Sequence, residues 1–418
     1  LINFSKHTLD NGLRVIIHED DSTPMVAVNV LYNVGSKDES PDKTGFAHLF
    51  EHLMFGGSAN APDFDEPIQM AGGENNAFTN SDVTNFYDTM PAENLELALW
   101  LESDRMLQLN FDKKSLDVQR KVVVEEFKET CLNEPYGDVW HHLSDMAYKV
   151  HPYQWPTIGK VPKHVEDATL KDVKSFFFKF YRPNNAILVV AGNVKQEDVL
   201  AKVEKWFGDI PAGEPYIRQL PPEPPQQQMV ERIAESANVP VDAIYLAFHS
   251  GARGDKDFHA VDLLSDVLGN GPSSRLYRRL LKEKEMFSNI DCYISGSIEP
   301  GLFILEGKPS EGVSLEQAEA ALWEELDALK NDPIPAKELQ KLKNKSESTL
   351  IFSEVNILNK AINLAFFELL GDAGLINGEA EKYQLVTVED IQRVAREIFT
   401  KENCSKLIYK AKKEEAVA

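Results

Sequence analysis

The sequence predicts an α+β protein of two similar halves, each a mainly antiparallel sheet with helices packed on one face. Three observations carry that expectation. The chain has 418 residues, beyond the size at which a single core keeps growing, so two domains of about 200 residues are expected. A proline-rich stretch from Gly213-Glu214-Pro215 to Pro224-Pro225-Gln226-Gln227-Gln228 breaks the chain near its middle, and its composition favours extended, semi-rigid backbone. The order of elements then repeats on either side. Thr169-Leu170-Lys171-Asp172-Val173 and Thr387-Val388-Glu389-Asp390-Ile391 each open an amphipathic helix with a capping threonine and an acid three residues on. Each helix is followed by a strand-like run, Ala186-Ile187-Leu188-Val189-Val190 or Lys406-Leu407-Ile408-Tyr409. Equivalent placement in two halves of similar length points to duplication. The expected division is a first domain at 1–213, a linker at 214–228 and a second domain at 229–418.

Strands are legible at Leu13-Arg14-Val15-Ile16-Ile17, at Val26-Ala27-Val28-Asn29-Val30 and, past the linker, at Ala243-Ile244-Tyr245-Leu246-Ala247-Phe248. Helical stretches lie between them. One is set by Phe46, Leu49, Phe50 and Leu53 at i, i+3, i+4 and i+7, with Thr44 as the expected N-cap and Gly56-Gly57 as the stop. This helix carries His48-Leu49-Phe50-Glu51-His52. Helical spacing puts both imidazoles on one face a turn apart, with the Glu51 carboxylate free to reach a water on a metal held there. A catalytic zinc takes three protein ligands and keeps a fourth position open, so one more Asp, Glu, His or Cys is required. Glu125, Glu126 and Glu129, on a helical stretch that begins near Asp117, compete for that place.

Composition narrows the rest. Lys and Arg number 44 against 67 Asp and Glu, a formal charge of −23. That argues against a nucleic-acid footprint, which needs a basic stripe, and suits solubility and cationic peptides. No run approaches the roughly 20 apolar residues of a membrane-spanning helix. The chain starts at Leu1-Ile2-Asn3-Phe4, without Met and without a charged-then-apolar leader. A removed signal peptide and a periplasmic location are the expectation, with cytoplasm or mitochondrial matrix as alternatives. Cys131, Cys292 and Cys404 are odd in number and lack a CxxC, so buried free thiols are expected rather than a disulfide framework or a thiolate zinc site. Gly269-Asn270-Gly271-Pro272-Ser273-Ser274 lacks the third glycine and the lysine of a phosphate loop and reads as a turn. His141, His142 and His151 read as surface or hydrogen-bonded residues.

His-x-x-Glu-His, followed downstream by Gln119-Arg120-Lys121-Val122-Val123-Val124-Glu125-Glu126, resembles the inverzincin (pitrilysin/insulinase-type) zinc metallopeptidases, which include pitrilysin, insulin-degrading enzyme and mitochondrial processing peptidase. Gly72-Gly73-Glu74-Asn75-Asn76-Ala77-Phe78-Thr79, with Asp82-Val83-Thr84-Asn85-Phe86-Tyr87 after it, resembles the family's substrate-edge strand. His151-Pro152-Tyr153 with Ile158-Gly159 resembles its later loop. The likeness covers nearly the whole chain, in the manner of the short two-domain bacterial members and the zinc-bearing subunit of mitochondrial processing peptidase.

The resemblance implies a clamshell of two halves, with one Zn2+ in the first half on His48, His52 and Glu126 and none in the second. Its register selects Glu126 over Glu125, which points roughly 100° away, and over Glu129, one turn further on. Glu51 is implied as the general base, and Gln119 stands in a supporting position where relatives often carry a glutamate, able to hydrogen-bond but not to add charge. Asn75, Asn76, Ala77, Phe78 and Thr79 are implied as the strand that holds substrate. The implied activity is zinc-dependent endopeptidase cleavage of extended peptides in a closed cavity. Relatives also use an arginine and a tyrosine of the second domain, and those positions here hold Leu281 and Ser288. Arg275 and Tyr277 do not reproduce the pair's spacing. A homologous partner chain supplying that Arg/Tyr pair in a heterodimer is therefore expected. The alternatives are a homodimeric peptidase, a non-catalytic binding or scaffold subunit of the same fold, and a zinc hydrolase acting on another bond.

Overall fold

The computed structural model describes residues 1–412. They form two compact units, each assembled from separate stretches of chain. The first contains residues 1–127, 155–220 and 351–378; the second contains 128–154, 221–350 and the described residues from 379 on. Sequence reading divided the chain only at the proline-rich stretch, which is free of helix and strand and includes one unit boundary, Leu220 to Pro221. Two further segments, 128–154 and 351–378, belong to the unit of the other sequence half.

In the first unit β1 (Ser5–Thr8), β2 (Arg14–Glu19), β3 (Met25–Tyr32), β4 (Glu74–Thr79), β5 (Thr84–Pro91) and β6 (Ala186–Gly192) form one sheet in the order β1-β2-β6-β3-β5-β4. In the second, β7 (Val230–Ser236), β8 (Ala243–His249), β9 (Phe287–Ile294), β10 (Leu302–Pro309) and β11 (Cys404–Ala411) follow the order β7-β11-β8-β10-β9. Each sheet has one parallel pair, β2–β6 and β7–β11, and is otherwise antiparallel. With β1 set aside, the two orders correspond strand for strand, and the parallel pair falls in the same place. The duplication expected from sequence is thus present in the connectivity.

The helices are α1 (Phe46–Phe55), α2 (Asp65–Met70), α3 (Leu95–Leu107), α4 (Lys113–Phe127), α5 (Val139–Ala147), α6 (Pro162–Glu166), α7 (Leu170–Phe180) and α8 (Gln196–Phe207). After the linker come α9 (Phe258–Gly269), α10 (Leu315–Asn331), α11 (Ala336–Ser353), α12 (Ile357–Leu369), α13 (Glu379–Leu385) and α14 (Val388–Ile398). Thr169 and Thr387 cap α7 and α14 through reciprocal bonds with Asp172 and Asp390, an arrangement worth about 1 kcal/mol at each helix start.

The main core of the first unit joins Val15, Ile17, Val28, Val30, Leu188 and Val190 of the sheet to Leu49 and Phe50 of α1, Phe177 of α7 and Val203 of α8. Strand alternation turns the intervening residues to the opposite face, and α12 packs on β2, β3 and β6. Polar ties fasten this segment. Lys360 Nζ lies 2.6 Å from Asp20 Oδ2, Lys6 Nζ lies 2.6 Å from Glu368 Oε2, and the Asn377 side chain exchanges two hydrogen bonds with the backbone of Ile2. In the second unit α5 packs on β7, β8 and β11, burying Val139, Leu143 and Met146 against Ala243, Tyr245, Ala247 and Leu407. Those strands are the counterparts of β2, β3 and β6, so the exchange is reciprocal.

Candidate metal centre

Helix α1 begins differently from the sequence expectation. Its N-cap is Gly45 rather than Thr44, at φ 85° and with no side-chain cap. A Cβ on Gly45 would sit 2.8 Å from the Ile158 carbonyl, and one on Gly159, at φ 101°, would sit 3.1 Å from the Gly45 backbone. Glycine at both positions lets the later loop close against the helix start. Thr44 Oγ1 instead bonds His164 Nδ1 at 2.8 Å and accepts the Lys160 N–H at 2.8 Å. The exposed N–H groups of the first turn need an acceptor, and buried Glu39 supplies it. Its Oε2 accepts from Gly45 N at 3.0 Å and from the Trp155 indole at 3.1 Å, and its Oε1 accepts from Ala47 N at 2.8 Å. Phe46 N–H also donates to this carboxylate.

Helix α4 delivers the third group. Arg120 fixes it by donating to the carbonyls of Glu166 and Ala168 at 2.9 and 2.8 Å. Ser115 and Gln119 of α4 flank Gly56 at the end of α1, where a Cβ would meet them at 3.1 and 3.7 Å. The result is a triangle. His48 Nε2 and His52 Nε2 are 3.3 Å apart, His52 Nε2 lies 3.3 Å from Glu126 Oε2, and His48 Nε2 lies 3.6 Å from Glu126 Oε1. Two atoms each about 2.0–2.1 Å from a tetrahedral zinc lie roughly 3.3–3.4 Å from one another, so the donor set and its spacing fit that ion. Among the described residues this is the cluster of three or more His, Cys, Asp or Glu able to hold a metal.

Burial lowers the His48 imidazole below its usual pKa, with Glu126 opposing. The hydrogen bond from His52 holds the Glu126 carboxyl below the usual range, against its burial. Both directions favour the free-base imidazole and the ionised carboxylate that a metal requires. Nδ1 of His48 is buried without a hydrogen-bond partner among the described residues. Glu51 is half-buried on the same helix, within electrostatic reach of His48.

Other residues singled out in the sequence fall elsewhere. Glu125 is exposed on α4, and Glu129 lies in a π-turn, Lys128–Asn133, beyond the helix end. Gln119 reaches the end of α1 and makes no described hydrogen bond to His48, His52 or Glu126. His142 Nε2 is 3.2 Å from Asp138 Oδ2, and His151 Nδ1 accepts the Tyr153 N–H at 3.2 Å. Cys131, Cys292 and Cys404 are buried free thiols. Leu281 packs against the second core, and Ser288 Oγ donates to the Lys308 carbonyl at 3.2 Å. Arg275 is buried 3.9 Å from Glu338, and Tyr277 is half-buried.

The stretch 74–79 that follows Gly72-Gly73 is strand β4, an edge strand paired among the described residues with β5 alone and packed beside α1. Asn76 Oδ1 accepts the Ala77 N–H at 2.8 Å, and Asn75 Nδ2 donates to Asp65 at 3.1 Å. Sequence reasoning missed Glu39 and Trp155, because an acid that caps a helix from outside its first turn leaves no periodic signal.

A sheet with helices on it, an edge strand and a two-histidine helix met by a distant glutamate together define the inverzincin class of fold and site. The chain belongs to peptidase family M16, the insulinase family: the profile described as insulinase (peptidase family M16) matches residues 14–160, and that described as peptidase M16 inactive domain matches 167–346. Zinc protease PqqE of Helicobacter pylori is 30% identical over 403 residues, covering 94% of this chain and 89% of that one. The uncharacterized zinc protease YmxG of Bacillus subtilis is 26% identical over 407 residues, covering 96% and 97%. The crystal structure of a protease from Helicobacter pylori superposes with a TM-score of 0.92 at 29% identity, over 98% of this chain and all of that chain.

Proposed function

We propose that this chain is a zinc-dependent endopeptidase acting on extended peptides, and that it works as the catalytic half of a two-chain enzyme. The observation that carries the hydrolytic reading is the His48, His52 and Glu126 triangle, spaced for zinc, on the helix that also bears Glu51. When bound, zinc supplies Lewis acidity toward a carbonyl and toward water. Glu51 takes a proton from the attacking water and passes it to the leaving amine. Strand β4 offers its outer edge to a peptide backbone, which fixes register without strongly selecting sequence. The Asn76 amide, now on the Ala77 N–H, swings aside as that backbone pairs. Asn75, Phe78 and Thr79 line the same edge. The two-chain reading is supported by Leu281 and Ser288, neither of which offers a cationic or phenolic donor to a developing oxyanion. A positioned donor of that kind is worth roughly 3–4 kcal/mol, and a homologous partner would bring it.

The test uses purified Glu51→Gln, assayed for zinc content and for cleavage of unstructured peptides. Full zinc with turnover abolished is the expected result; near-normal cleavage overturns the assignment of the base. Adding a homologous chain that lacks the histidine motif is expected to raise wild-type turnover. Full activity of the isolated chain, unchanged by dilution or by the partner, overturns the two-chain reading.

A further inference from the structure

The second unit holds a charged cluster that peptide hydrolysis at α1 does not use. Across the β9–β10 pair Asp291 stands directly opposite Glu306, and Glu306 stands opposite Tyr245 of β8. Opposed residues of antiparallel strands project to one face, so the two carboxylates lie side by side with Tyr245 next to them. Tyr293, two positions along β9 from Asp291, joins the same face. Neither acid has an ion-pair partner among the described residues, and the one described hydrogen bond to the Asp291 side chain is from its neighbour, Cys292 N–H, at 2.8 Å. The positive charge felt by Glu306 is that of Lys308, whose ammonium rests 4.6 Å from the centre of the Tyr136 ring. Tyr245 is only 5% exposed, its hydroxyl makes no described hydrogen bond, and it lies within electrostatic reach of Glu306, Tyr136, Tyr293 and Tyr409.

Like charges placed directly opposite each other destabilise a sheet. Here half-burial adds to the cost: burial first, then Asp291, hold the Glu306 carboxyl above its usual range. A fold that keeps this pair under-neutralised has a place where an added cation lowers the energy. The surroundings say which cation. A guanidinium matches paired carboxylates through its fork of N–H donors, and its flat face stacks on aromatic rings. The half-buried Tyr293 ring offers such a face, and the Tyr245 oxygen offers one more acceptor. A divalent ion would leave the rings unused and would need more oxygen ligands than two carboxylates supply.

We propose that Asp291, Glu306 and the hydroxyl of Tyr245, flanked by the Tyr293 ring, form a binding site for the arginine side chain of a peptide. The formal charge of −23 favours capture of such cationic peptides by long-range attraction. This assignment is independent of hydrolysis, and its test reads binding.

The full-length chain is titrated calorimetrically with N-acetyl-arginine N-methylamide, with the citrulline analogue of the same shape and no charge, and with calcium chloride. The arginine compound is expected to bind, citrulline about ten-fold more weakly or worse, and Glu306→Gln to weaken the arginine compound by a similar factor. Asp291→Asn, on the exposed edge, is expected to weaken it too and serves as a second variant. Unliganded Glu306→Gln is expected to melt higher than wild type, because a like-charge contact has been removed. A purely structural carboxylate would give the opposite sign. Equal binding of citrulline, unchanged affinity in both variants, or calcium binding lost in Glu306→Gln without any arginine binding would each overturn the proposal.

Discussion

Replacing Glu39 by alanine isolates the support beneath the candidate metal helix from His48, His52 and Glu126 themselves. The carboxylate accepts N–H groups from Gly45, Phe46 and Ala47, which immediately precede His48, and from the Trp155 indole. Trp155 keeps a second acceptor, the Ser36 carbonyl, at 3.1 Å. The three backbone donors have none among the described contacts that would replace Glu39. A buried donor left without a partner costs about 1–3 kcal/mol, and water entering the vacated space recovers part of that. A net loss of about 3 kcal/mol is therefore expected, or a fall in melting temperature of roughly 6–12 °C for a unit of this size. Fraying of the first turn also displaces His48, and zinc affinity is expected to drop about ten-fold, in line with other supporting contacts to metal ligands. Calorimetric melting of the metal-free chain and zinc titration against a competing chelator measure the two effects. Thr44→Ala is the contrast, since Thr44 bonds His164 and Lys160 rather than the helix N–H groups. If Thr44→Ala costs more than Glu39→Ala, or if Glu39→Ala leaves both melting and zinc affinity unchanged, the capping argument fails.

Three further outcomes follow from the structure. Glu126→Ala is expected to lose zinc while Glu125→Ala and Glu129→Ala retain it, as metal analysis after dialysis would show. Asp88 is fully buried with its carboxyl against that of Glu102 and, among the described residues, no N–H donor to either oxygen; burial, then the Glu102 charge, hold it well above the usual range. A folded pKa above the unfolded one means that this group's contribution to stability is full below about pH 4 and is lost as pH rises. Asp88→Asn, which mimics the protonated acid, should thus melt higher than wild type at pH 7–8 and gain little at pH 4; a gain confined to acid would contradict the sign. A fragment of residues 1–213 lacks α12 and should show no cooperative melting alone, whereas adding 214–418 should restore it; a cooperatively folded fragment would contradict the packing described.

The fold was legible wherever local patterning sets structure. The apolar runs at Val26–Val30 and Ala186–Val190 lie inside β3 and β6, and the threonine caps of α7 and α14 are where their acids predicted. The convergence of His48, His52 and Glu126 was readable because two ligands share one helical turn and the third sits in a recognisable register. What escaped was non-local. Thr44 satisfies the local rule for an N-cap, yet a glycine contact with Ile158 and a carboxylate from Glu39 take over the helix start. Nothing in the α12 sequence states that its apolar side covers a sheet formed mostly by residues more than a hundred positions earlier.

That reciprocal exchange gives the chain a schedule. As a nascent polypeptide the first sheet has all its strands once β6 is made, but one of its faces waits for α12. At about 5–20 residues per second, the intervening stretch takes roughly ten to thirty seconds to emerge. During that interval Leu31, Ile187 and Val189, each buried in the finished protein, face solvent or a chaperone. The second sheet has no such delay, because α5 is synthesised before any of its strands. Residues 128–154 are a part made in advance, and 351–378 are a part delivered late. Translational pausing within the second half would therefore lengthen the exposure of the unit that carries the two histidines.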